Sequence, residues 1–104
     1  MNNFEILQFA IENQKQITAY YDGFYREMCP HTLGFKNGRR QVLCYQFGGE
    51  SSRGYITTQG SQNWRCMQVD ALHDLTIRDG EWHTCDIHTQ AQRCVDDITC
   101  EIGN

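Results

Sequence analysis

Two Asx-Gly dipeptides, Asp22-Gly23 and Asn37-Gly38, divide the stretch from Ile17 to Phe47 into three segments. They constrain this chain more than any other feature. Two-residue hairpin turns need consecutive residues at positive φ, which Asp or Asn followed by Gly supplies with little strain. The first segment alternates Ile17, Ala19 and Tyr21 with Thr18 and Tyr20, the period of a half-buried strand. Phe24 to Gly34 is long enough to bend, and Pro30 in its middle limits pairing on one side. Arg40 to Phe47 makes the third strand, and GGESSRG (Gly48 to Gly54) reads as a flexible polar loop.

The flanks fit around these strands. Asn2 or Asn3 can cap a helix running to about Asn13, whose apolar stripe is Phe4, Leu7, Ala10 and Ile11. After the loop, Tyr55 to Thr58 is a short strand, and Trp64 to Val69 alternates again with Met67 and Val69 inward. Asp70 caps a short helical turn, His73 to Arg78 is a strand, and Asp79-Gly80 is a turn. In the polar tail from Trp82, residues Val95, Ile98 and Ile102 predict a last short strand or docked extension. One helix followed by five or six short strands predicts a single domain, mainly β (α+β). A helix over 2–13 packs on a small, strongly bent β-barrel over 16–79, and 80–104 form a C-terminal extension. A chain of 104 residues is enough for one core.

Composition narrows the function. The net charge of −4 argues against duplex-DNA binding by bulk charge, yet five of nine basic residues (Arg26, Lys36, Arg39, Arg40, Arg53) fall close together. The N-terminus lacks a basic region followed by an apolar run, and no apolar stretch could span a bilayer, which predicts a soluble, cytoplasmic chain with no membrane partner. There the six cysteines are expected as reduced thiols or metal ligands. Cys29, Cys44 and Cys66, one on each of three strands, read as core packing. Cys85, His88, Cys94 and Cys100 form a C-x2-H-x5-C-x5-C pattern able to hold zinc, with His83 an equal choice for the nitrogen ligand. No other cofactor is suggested. Cys29 with His31 is the nearest thing to a nucleophile and base, but residues two apart on a strand lack an orienting third group, and no enzyme is expected. Trp64 and Trp82 read as lids over the core, and Asp96, Asp97 and Glu101 as a solvated face.

Arg26, His31, Arg40, Tyr45 and Arg65, with Tyr20 and Arg53, are the candidate ligand surface. Arginine forks match phosphate oxygens and aromatic rings stack on bases.

The run from Phe4 to Ile77 resembles the WYL domain. The likeness rests on the Tyr21–Gly23 turn, Arg26, Pro30-His31 with Leu33, the Leu43-Cys44-Tyr45 strand, and Arg65-Cys66-Met67-Gln68-Val69-Asp70 with Leu72. The tripeptide that names the family falls at Arg40-Gln41-Val42, without its tryptophan and tyrosine, and Ala71 stands where an arginine often follows the aspartate. The resemblance implies an Sm-like (Src-homology-3-type) barrel of the kind that senses ligands on bacterial transcription regulators. It also implies a small anionic ligand, a nucleotide or single-stranded nucleic acid, bound by a regulatory module. The alternative class is a protein-interaction or homo-oligomeric assembly module, since barrels of this type pair through exposed strand edges.

Overall fold

Asp22 and Gly23 lie at φ of 52° and 79°, and Asn37 and Gly38 at 53° and 78°, so both hairpin turns form where the dipeptides stand. They join β1 (Gln16–Tyr21), β2 (Phe24–Lys36) and β3 (Arg39–Ser51). The computed structural model describes residues 1–51, 54–55, 63–85 and 93–103. The other described strands are β4 (Gly54–Tyr55), β5 (Trp64–Gln68), β6 (His73–Arg78) and β7 (Asp97–Glu101), with a 3-10 turn at Val69–Ala71. The protein is a mainly β, α+β fold.

The pairing is antiparallel throughout, in the order β4-β3-β2-β1-β6. β5 adds to the first half of β3 (Val42 opposite Met67), and β7 to the second half of β2 (Leu33 opposite Cys100). β2 bends at two register shifts, Glu27/Met28 and Pro30/Thr32, the second beside the proline. A closed barrel is not formed among the described residues: no ladder joins β6 to β5 or β7, and the 3-10 turn bridges β5 to β6 instead. The sheet stays open.

β3 runs on through the stretch expected as a loop, because Gly48 and Gly49 let it approach β2. A Cβ on Gly48 would meet Glu27 Oε1 at 2.3 Å, and one on Gly49 the Tyr25 carbonyl oxygen at 2.3 Å. These two residues pair with Glu27 and Arg26.

The helix α1 (Asn3–Glu12) begins with a capping box: Asn2 Oδ1 accepts from Glu5 N at 2.8 Å, and Glu5 Oε1 from Asn2 N at 3.1 Å. Asn3 Nδ2 donates to the Val69 and Leu72 carbonyls at 3.0 Å each, fixing the helix to the 3-10 turn. Leu7, Ala10 and Ile11 are buried against Ile17, Met28, Leu33 and Val42. At about 1.5–3 kcal/mol per large apolar side chain, this face holds the helix more firmly than its caps do. Met67 and Val69 are buried as the alternation predicts, and Asp70 caps nothing, its place taken by Gln68. No helix among the described residues is long and apolar enough to cross a membrane.

Candidate functional site

The residues singled out from sequence separate in space. Arg26 is 5% exposed. Its Nε and Nη2 donate to the Tyr21 carbonyl at 3.3 and 3.2 Å, and Nη1 to Gln46 Oε1 at 3.3 Å. The guanidinium lies 5.4 Å from the Tyr21 ring and 5.8 Å from Phe24. Gln46, fully buried, passes the network on by donating Nε2 to the Gly48 and Glu50 carbonyls. Burial lowers the Arg26 pKa, though Asp22 and Tyr21 oppose the shift. Tyr20 points the other way, exposed beside Tyr25 at 5.5 Å.

His31 and Tyr45 do meet, around Trp64. The His31 ring is 4.7 Å from Trp64 and 5.0 Å from Trp82, and Tyr45 is 5.2 Å from Trp64. His31 Nδ1 lies 2.8 Å from the Cys29 carbonyl and Nε2 2.9 Å from Thr84 Oγ1. A carbonyl only accepts, so Nδ1 carries the proton and Nε2 accepts from the threonine. Burial lowers the His31 pKa, favouring this neutral ring. With His31 6% exposed and Tyr45 wholly buried, the group is core rather than ligand surface. Arg65 Nη1 donates to the carbonyl of its β5 neighbour Trp64 at 3.2 Å. Arg53 lies outside the described residues.

The cysteines differ most from expectation. Cys66 and Cys94 form a disulfide, Cα atoms 5.5 Å apart, so these two are neither reduced nor metal ligands in this state. Cys66 is exposed, not core. Of the zinc pattern, His88 lies outside the described residues, and Cys100 faces the Gln8 carbonyl at 4.0 Å. Among the described residues no three metal-ligating side chains converge, so Cys85, Cys94 and Cys100 are not brought together as a set. Cys29 and Cys44 are buried, as packing requires. Cys29 Sγ accepts from His83 N at 3.3 Å, and burial pushes its thiol up to about 11, the reverse of an activated nucleophile.

A different cluster forms at the β2–β3 turn. Lys36, Asn37, Arg39, Gln41, Cys66 and Arg93 line an open cleft of about 410 Å³. Lys36 Nζ donates to the Arg93 carbonyl, and Gln41 Nε2 to the Cys94 carbonyl at 2.6 Å. These bonds hold residues 93–96 as a strap across the hairpin and deliver Arg93 to the cleft. Among the described residues, Arg39 and Arg93 have no carboxylate partner and no acid lines the cleft. Beyond Arg39, a second cleft of about 330 Å³ is lined by Phe35, Gly38, Arg39, Arg40, Gln68 and Asp70. There Arg40 sits 3.6 Å from Asp70 and 5.9 Å from the Phe4 ring, which packs on Phe35 at 5.6 Å. Of the described candidate ligand residues only Arg40 belongs here. Lys36 and Arg39 carried a signal, since they flank Asn37-Gly38 within the basic stretch; Arg93 arrives from the tail and carried none.

No protein-family model matches this chain, and no curated protein or solved structure matches it.

Proposed function

We propose that the protein is a non-enzymatic, regulatory ligand-binding module that takes a nucleotide-type anion at the β2–β3 hairpin. The observation that carries this is the cleft between Lys36, Arg39 and Arg93, where three cations face one space with no acid among the described lining residues. Exposed ionic contacts contribute only about 1 kcal/mol each, so one phosphate held by three of them stays near millimolar affinity. A ligand bound at micromolar strength must add phosphates or stack a base. The second cleft offers Phe35 for stacking and Gln68 and Asp70 for hydrogen bonds to a base or sugar. The likeness to WYL domains supports the same ligand class, and an N-terminal helix packed on an antiparallel sheet is the part of that architecture the chain shares.

Isothermal titration with nucleoside mono-, di- and triphosphates tests the reading. Affinity should rise with phosphate number, weaken roughly tenfold in Arg39→Ala/Arg93→Ala, and fall with salt. Binding indifferent to both arginines, or none, overturns it, and tighter capture of single-stranded oligonucleotides would move the ligand to that class. The exposed Ile98 on β7, paired on one side only among the described residues, favours assembly through this edge as a second reading. Light scattering of the unliganded protein decides that question.

A further inference from the structure

Anion binding does not explain why the cationic cleft is built around a disulfide. Cys66 is exposed on β5, whereas Cys94, within the strap, is 6% exposed. Three cationic side chains share the cleft with Cys66, and Gln41 Nε2 lies 3.4 Å from Cys66 Sγ and 3.9 Å from Cys94 Sγ. Thiolates are favoured beside positive charge and amide donors, so this environment stabilises both an attacking thiolate and a departing one. The strap has other anchors: the bonds from Lys36 and Gln41, Asp96 N to the Phe35 carbonyl at 3.0 Å, and buried Val95. Opening the sulfur bridge therefore leaves residues 93–96 attached.

We propose that Cys66–Cys94 is a thiol–disulfide exchange site for carboxylate-bearing low-molecular-weight thiols, with Cys66 the sulfur attacked. The thiolate of the small molecule bonds to Cys66 Sγ, the Cys66–Cys94 bond breaks, and its electron pair leaves on Cys94 Sγ, which takes up a proton. A second small thiolate then attacks the external sulfur of the mixed disulfide. It releases Cys66 as a thiolate and forms the disulfide of the small thiol, so two electrons pass to the protein. The carboxylates of the incoming thiol are drawn by Lys36, Arg39 and Arg93. The proposal goes beyond the ligand-binding reading and stands without it, because its test contains no nucleotide.

Oxidised protein carrying Cys85→Ser and Cys100→Ser is mixed with glutathione or with the cationic thiol cysteamine, quenched in acid and mapped by mass spectrometry. Rates are compared per unit of thiolate. Glutathione should give an adduct on Cys66 and then the dithiol, with circular dichroism unchanged. Its advantage over cysteamine should shrink roughly tenfold in Arg39→Ala/Arg93→Ala and at high salt. A bridge that resists both thiols until denaturant is added overturns the proposal. So does an adduct on Cys94, or a rate ratio unmoved by the arginines and by salt.

Discussion

Gly34→Ala tests whether the tail is docked as described. Gly34 lies on β2 with Gln41 on one side and Ile98 on the other. A Cβ there would stand 2.0 Å from the Asp97 carbonyl oxygen and 2.6 Å from Val95 Cγ1, where ordinary contact begins at 3.4 Å. The nearer atom is backbone, so β7 and the strap must retreat by more than an ångström, or β2 must. Overpacking alone costs about 1–3 kcal/mol. Retreat also weakens the β7 ladder, at about 1 kcal/mol per hydrogen bond, and uncovers Val95, which is 2% exposed. Complete detachment of β7 limits the damage, so the expected loss is roughly 3 kcal/mol. With a urea m-value of about 1–3 kcal/mol/M for a chain of this size, the midpoint should drop by roughly 1–3 M. Gly38→Ala is the control: its Cβ meets nothing within 4 Å and it carries only the strain of φ +78°, about 1 kcal/mol. A Gly34→Ala midpoint no lower than that of Gly38→Ala would refute the placement of β7 over Gly34.

Three further outcomes are expected. Arg26→Met should lower stability by roughly 2–3 kcal/mol in thermal or urea unfolding, because Gln46 Oε1 and the Tyr21 carbonyl lose their buried donor; a loss under 0.5 kcal/mol would contradict the network. Cys94→Ser opens a bridge with a sequence separation of 28, and loop entropy puts the loss at roughly 3–4 kcal/mol; under strong reductant, variant and parent should unfold alike, and a gap that persists would point to packing instead. His31 is held neutral below its ordinary value of 6.5, so the unfolded chain binds the proton more readily and stability should fall as pH drops below about 6.5; midpoints at pH 7.5 and 5.5 should differ less in His31→Gln, and an unchanged difference would exclude His31 as the cause.

Local chemistry makes the hairpins, the capped helix and the alternating β5 legible in the sequence, since each is decided within a few neighbouring residues. Three things were not legible, each because it depends on contacts distant in sequence. Glycines that look like a loop at Gly48-Gly49 serve close strand approach. Interleaved arginine and tyrosine say nothing about which face they share, so Arg26 and Tyr20 looked alike though one is buried and the other exposed. The spacing of Cys66 and Cys94 gives no sign that the strap brings them together across the Asn37-Gly38 hairpin. The expectation of reduced thiols came from an inferred compartment and not from the residues themselves.

Pro30 has a consequence for cooperativity. β1 pairs with β2 up to Met28, and β7 joins it only from Thr32, so the proline, with no N–H to give, lies between two ladders on the same strand. Opening at one end of β2 need not propagate past that point. The tail with β7 and the β1–β2 hairpin can then behave as separate opening units, with amide protons of Leu33 to Phe35 exchanging at a free energy distinct from those of Phe24 to Met28. A residue that ordinarily marks the end of a strand here separates two ladders on one edge of β2, while β3 pairs past it on the other.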